Sequence, residues 1–280
     1  MFFHCHNCNE SMFFGQFLKR VDHNLYRQYL LEQFAPLKPK VSTDDAKPFI
    51  TTPNFTKKIT INLPTINSLP HSHLAKQYVL SRKLPVNQLD HIYYADCYKS
   101  FMDEILPGNG KLIPLLDKRI IIPFYDEDCL LLGFQGRTLS DSKIKYITTM
   151  LDESKKKVFG LDKIDKAKEI YVTEGPFDSM FLDNSIAIMD SSLNRIIDLL
   201  GPLNYVFVPD NEKRNKQTLS TMEKIIKLNQ KIFIWPRNID AKDINDLILN
   251  GMSQTEIMMM IDNNTFEGLD AQLKLTMWSK

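Results

Sequence analysis

Ile170-Tyr-Val-Thr-Glu-Gly-Pro-Phe-Asp178 and Tyr205-Val-Phe-Val-Pro-Asp-Asn-Glu212 decide the fold. Each is a short β-branched and aromatic run that stops at a carboxylate. Ile170 to Val172 read as a buried strand and Gly175-Pro176 as its break; Phe177 to Leu182 open a helix with Asp178 near its N-terminus. Tyr205 to Val208 repeat the strand pattern, with Asp210 and Glu212 just past its end. A third run, Lys231-Ile-Phe-Ile-Trp235, leads through a turn to Asp240, Asp243 and Asp246. In open α/β sheets, ligands bind in the crevice beyond the carboxyl ends of the strands. Acidic groups gathered there repel one another, by roughly 4 kcal/mol for a pair about 4 Å apart at intermediate dielectric. Divalent cations remove that cost, and Mg²⁺ takes hard oxygen ligands while keeping water and phosphate in its coordination sphere. A single acidic residue can simply populate a loop. Three clusters, each following an apolar strand, favour a metal site.

At 280 residues the chain has room for one large domain or two modest ones, and its 43% hydrophobic content is enough to bury a core. No apolar run approaches the roughly 18 residues that a bilayer requires, which predicts no membrane partner. No basic-then-apolar leader opens the sequence, which predicts a cytoplasmic protein. The net charge of +1 hides an asymmetry: residues 1–160 carry 21 Lys/Arg against 16 Asp/Glu, and residues 161–280 carry 14 against 18. A basic first half and an acidic second half suit a protein that grips phosphate with one part and metal with the other.

Taken in order, residues 1–34 contain Cys5-x-x-Cys8 and then Phe13, Phe14, Phe17, Leu18 and Val21 at helical spacing. Two cysteines at this spacing present two thiolates from one tight turn to Zn²⁺, but a structural zinc needs four ligands. No second Cys/His pair follows within 60 residues, so the ligand set is incomplete and its other half is expected upstream of Met1. Residues 35–70, rich in Pro, Thr, Lys and Asn, read as a linker with a strand near Lys58 to Leu63. Ser72 to Lys83 read as a helix capped by Ser72, Ile92 to Tyr94 as a strand and Ser100 to Ile105 as a helical turn. Lys118 to Tyr125 and Cys129 to Leu139 form a hairpin across Asp126-Glu127-Asp128. From 162 to 250, strands alternate with helical segments over Met180–Asp183, Ser192–Leu200, Thr218–Leu228 and Ile244–Asn250, the pattern of a mostly parallel sheet with covering helices. Residues 253–280 read as one or two helices capping that sheet, because Ile257 to Ile261 is an unbroken apolar run.

Laid out in this way, the chain resembles a bacterial- or phage-type (DnaG-like) DNA primase built on a TOPRIM domain, most like a phage primase. Thr173-Glu-Gly-Pro-Phe-Asp178 resembles the first TOPRIM motif, and Asp210-Asn-Glu212, 36 residues beyond Glu174, resembles the second with Glu in place of the usual final Asp. Asp240 to Ile248 is similar to the acidic segment that closes the domain. Arg119-Ile-Ile-Ile-Pro-Phe, Gly133-Phe-Gln-Gly-Arg-Thr-Leu and Lys145-Tyr146 look like the basic subdomain that primases have and other TOPRIM proteins lack. His4-Cys5-His6-Asn7-Cys8 resembles the second ligand pair of a primase zinc ribbon.

The resemblance implies an α/β fold: a partial zinc-ribbon segment over 1–34, a linker over 35–70, a basic α+β subdomain over 71–162, a TOPRIM-type mostly parallel sheet over 163–252 and a helical tail over 253–280. It implies synthesis of short RNA primers on single-stranded DNA from NTPs, with Mg²⁺ or Mn²⁺, alongside a replicative hexameric helicase in the host cytoplasm. Glu174, Asp210 and Glu212 are then catalytic; with Asp243 and Asp246 they are the metal ligands, and Cys5 and Cys8 belong to the partial zinc site. Arg119, Arg137, Lys145 and Tyr146 are expected to hold template or nucleotide. Two other readings use the same residues. One is a TOPRIM nuclease hydrolysing phosphodiesters; the other is a primase-derived single-stranded DNA-binding protein without activity.

Overall fold

The computed structural model describes residues 2–4, 11–21, 26, 59–108, 113–140, 144–155, 157–189 and 201–280. The chain divides into two compact units, Met1–Phe55 and Thr56–Lys280. In the first, β1 (Phe2–His4) pairs antiparallel with β2 (Ser11–Phe13), and α1 (Phe14–Val21) follows at once. Phe13, read as the first residue of the helical face, instead completes β2 opposite Phe2. Cys5 and Cys8 lie outside the described residues, as do residues 35–58 of the expected linker.

The second unit opens with α2 (Leu74–Ser81), β3 (Tyr93–Ala95) and α3 (Tyr98–Ile105). Residues 59–70 belong to this unit and do not form a linker: Ile66 is fully buried, Thr65 bridges to Tyr93, and among the described residues 59–63 no strand forms. The α2 cap also differs from expectation. His73 occupies it, its Nδ1 accepting from the Ala75 N–H at 3.2 Å, so Ser72 lies outside the helix. The expected hairpin is present as β4 (Arg119–Tyr125) and β5 (Leu131–Thr138), and β6 (Tyr146–Met150) adds a further strand, giving an antiparallel sheet in the order β3-β4-β5-β6.

A second sheet follows from β7 (Val158–Phe159), β8 (Ile170–Thr173), β9 (Ser185–Ile188), β10 (Tyr205–Val208), β11 (Lys231–Phe233) and β12 (Thr265–Phe266), in the order β12-β11-β10-β8-β9-β7. Its four central strands are parallel and its two edges antiparallel. Every residue of β8 and of β10 is buried, as helices on both faces of a parallel sheet require. Between β8 and β9 the chain makes only α4 (Pro176–Ser179), shorter than the Phe177–Leu182 helix expected, and residues 180–183 form turns. Beyond β10 comes α5 (Lys216–Lys227), capped by Asn215, and beyond β11 comes α6 (Ile244–Leu249).

The C-terminal segment caps the sheet. Ser253 and Glu256 form a reciprocal capping box at the start of α7 (Gln254–Asn263), which is worth about 1 kcal/mol for such a cap. Ile257 and Ile261, four apart on one face, are fully buried. β12 then pairs with β11, and α8 (Gly268–Trp278) packs Ala271, Leu275 and Trp278 into the core.

Candidate active site

The site is set by strand register. Thr173 of β8 lies beside Val208 of β10, so both chains leave the sheet side by side, one into Glu174 and the other into Pro209 and Asp210. The Asp210 N–H donates to Glu174 Oε1 at 3.4 Å, closing the gap between the two motifs. The Thr173 hydroxyl reaches the carbonyls of Gly175 (3.0 Å) and Ile186 (3.3 Å), fixing the turn into α4. Asp178 in that short helix accepts from the Asn245 N–H at 3.0 Å, which docks α6 against the first motif. Asn211 ties the second motif to the third: its Nδ2 donates to the carbonyls of Ile239 (3.0 Å) and Ala241 (2.8 Å), and its N–H to that of Lys242 (2.7 Å).

Glu174, Asp178, Asp210, Glu212, Asp243 and Lys242 thereby line one cleft of about 480 Å³, shared with Arg82, Gln135 and Tyr146 from the other sheet and its helix. Burial, and then the neighbouring Asp243, push Asp178 up to about 7, against the opposing pull of the Asn245 N–H and Arg82. Glu174 and Asp210 are both held above the ordinary carboxylate range. Desolvation is the main cause for each, and Asp210 also feels Glu174, Asp178 and Asp243. Glu212 runs the other way: burial raises it, but its bonds to Lys242 (3.0 Å) and Asn215 (2.5 Å) outweigh that and hold it low. Its partner Lys242 is raised by the same bond.

A recessed cleft with this surplus of carboxylate favours a cation. The donors are all oxygen, which fits a hard divalent ion better than a thiolate- or imidazole-loving one. No three His, Cys, Asp or Glu side chains among the described residues form a ready-made cage. Water and substrate oxygens would have to complete the coordination, as they do around Mg²⁺.

The residues expected from sequence separate clearly. Glu174, Asp210, Glu212 and Asp243 come together in the cleft, Asp243 while also capping α6 through the Asp246 N–H (2.8 Å). Asp246 does not line it; its carboxylate turns back to the Lys242 N–H at 3.3 Å. Tyr146 lines the cleft, with Arg137 behind it, stacked 4.7 Å from its ring. Lys145 is exposed just before β6 and contributes nothing to the cleft wall. Arg119 is a correction. It is 1% exposed, its Nε bound to Asp117 (2.8 Å) and its other nitrogens to the carbonyls of Gly136 (2.8 Å) and Ile144 (3.2 Å), so it braces the antiparallel sheet and cannot grip a phosphate. Sequence reasoning left Asp178, Lys242, Asn211 and Arg82 unassigned. Only Asp178 carried a signal, in the Glu-Gly-x-x-Asp spacing.

No family model matches the chain. In fold it is a primase catalytic core: it aligns with the E. coli primase catalytic core at a TM-score of 0.57 and 17% identity, over 76% of this chain and 80% of that one. The zinc-binding and RNA polymerase domains of the Aquifex aeolicus primase align at 0.54 and 18% identity, over 95% and 74%. In sequence it is 30% identical over 283 residues to the DNA primase of Enterobacteria phage T4, covering 99% of this chain and 81% of that protein. The chain belongs to the bacterial- and phage-type family of DNA primases.

Proposed function

We propose that this cleft joins ribonucleotides into short RNA primers on single-stranded DNA. The observation that carries the reading is convergence: five carboxylates from three strand ends share one cleft with an arginine from the end of α2 and a tyrosine from a second sheet. The reaction forms a bond from the primer 3′-oxygen to the α-phosphorus of an NTP. It breaks the bond to pyrophosphate, and the 3′-hydroxyl proton passes to a base. Glu174, at the end of β8 in the cleft, stands where it serves as that base or as a metal ligand.

Glu174, Asp178, Asp210, Glu212 and Asp243 would hold Mg²⁺ or Mn²⁺. Such ions, when bound, acidify the attacking hydroxyl and neutralise the leaving pyrophosphate. Asn211 and Asn245 keep the carboxylates in place during turnover, and Lys242 holds Glu212. Tyr146, backed by the Arg137 guanidinium, offers a face on which a base can stack. By the same family reading, the chain works with a replicative hexameric helicase, and Cys5 and Cys8 supply two ligands of a Zn²⁺ site. Metal content of a Cys5→Ser variant tests the zinc assignment.

The decisive assay incubates the protein with single-stranded DNA, labelled NTPs and Mg²⁺, beside Asp210→Asn. Short labelled RNA that disappears in the variant is expected. Degraded template without new RNA would make the protein a nuclease, and neither product would leave a binding protein.

A further inference from the structure

Ile122 of β4, Gln135 of β5 and Tyr146 of β6 are the antiparallel sheet's share of the cleft. Gln135 pairs across the ladder with Ile122 on one side and Thr148 on the other, so those three side chains share a face. It is 7% exposed, and its Nε2 donates to the Thr148 hydroxyl at 3.2 Å. That bond fixes the amide plane and leaves Oε1 buried with no donor. A buried acceptor without a donor is costly, and an apolar residue would fill the place without that cost. Among the described residues that line the cleft, Asn245 Oδ1 is in the same state, but Asn245 sits beside Asp178 on the acidic side. Gln135 belongs to the sheet that brings no carboxylate to the cleft, so its oxygen awaits a donor from the substrate and not a cation.

We propose that Gln135 selects the sugar of the incoming nucleotide: its free amide atom pairs with the 2′-hydroxyl and favours ribose over deoxyribose. The inference rests on the nucleotidyl-transfer reading of the cleft and adds to it a residue that sets substrate choice. A site that copies a template takes all four NTPs, so a fixed acceptor serves there only if it meets a donor that all four share. Their base edges differ in donor and acceptor pattern. Their ionised triphosphates offer acceptors alone. The ribose hydroxyls are the donors left, and the 2′-hydroxyl is the one that a dNTP lacks. A hydroxyl also answers the amide in either orientation, since it both donates and accepts. A dNTP in the same place leaves the buried oxygen unmet, which is how a polar site rejects an analogue that lacks one hydroxyl. Thr148 is then a positioning residue that holds the amide still.

The test gives the full chain and Gln135→Met, similar in volume but without the amide, the same DNA template with an annealed RNA primer. It measures kcat/KM for an NTP and for the matching dNTP in Mg²⁺. In the variant, NTP use should fall roughly tenfold or more while dNTP use holds, so the preference for ribose shrinks by that factor. A purely structural role would lower both alike, and an unchanged ratio overturns the proposal. A 3′-deoxy-NTP should remain as sensitive to Gln135→Met as the NTP. Loss of that sensitivity would move the contact to the 3′-hydroxyl and overturn the assignment. An altered preference for template sequence with the ratio intact would also overturn it, since Gln135 would then read a base. If Gln135→Met fails to fold, Thr148→Val decides: it frees the amide, and a ribose preference equal to wild type sinks the idea. A wild-type chain that makes no RNA at all would instead remove the reading of the whole cleft, a failure visible without any variant.

Discussion

A Cβ placed on Gly175 would lie 2.8 Å from Oδ2 of Asp178. The glycine's φ of −118° is one that any residue adopts, so the position requires room and not backbone freedom. Gly175→Ala must therefore move the Asp178 carboxylate, which the Asn245 N–H holds from its other side. Primer synthesis should fall about a hundredfold, the effect of an ångström-scale misplacement, while circular dichroism and the melting midpoint stay near wild type. A collapse of the fold would show instead that the turn cannot accept any side chain.

Asp178 also gives the protein a pH signature. Its pKa in the fold is raised to about 7, so ionisation costs stability. The sign follows: this contribution is fully present below the unfolded carboxylate pKa of about 4 and is lost as the pH rises through 7. Asp178→Asn should melt above wild type at pH 8 by an amount on the order of 2 kcal/mol, and the two should converge at pH 4. Mg²⁺ should raise the wild-type midpoint at pH 8 and barely move the variant. Scanning fluorimetry across that range measures both effects.

Arg119→Ala should unfold the antiparallel sheet and leave chemistry untouched in whatever remains folded. It strands Asp117 without its cation and two carbonyls without donors, a loss of roughly 3–5 kcal/mol. Replacing both partners, as Arg119→Met with Asp117→Leu, should recover most of that in urea titrations. A weakened DNA affinity at unchanged stability would return Arg119 to the nucleic-acid surface.

Asn211→Ala removes two side-chain bonds that hold the third acidic segment. About 2 kcal/mol of stability should go with it, together with most of kcat, because the turn leading to Lys242 and Asp243 keeps only the main-chain bond from residue 211 to the Lys242 carbonyl. Trp278→Phe, which removes a 3.2 Å bond to Asn211 Oδ1, should be milder in both respects. Equal kcat in wild type and Asn211→Ala would mean that the segment holds its place without the clamp.

Much of this architecture is legible in the chain. Ile170 to Val172 and Tyr205 to Val208 are apolar on both faces, and that forces central parallel strands whose ends carry Glu174 and Asp210. The hairpin is equally readable, since its two runs are bounded by a three-residue acidic turn. Edge strands such as β7 and β12, two residues each, leave no periodicity to find. Arg119 misleads because an arginine at a strand start looks the same whether its head meets solvent or a buried aspartate; only the fold brings Asp117, Gly136 and Ile144 around it. Arg82 stayed hidden for the opposite reason. It follows an unremarkable helix far upstream of the acidic motifs, and only tertiary packing places it in the cleft.

The bond from Trp278 to Asn211 has a consequence for synthesis of the protein itself. A nascent chain emerging from the ribosome displays Glu174, Asp210 and Asp243 well before α8 has left the exit tunnel. Until then Asn211 lacks its indole donor, and the sheet lacks the helix that buries Trp278 against it. The turn after β10 that carries Asn211 therefore reaches its final packing only once α8 has joined the sheet.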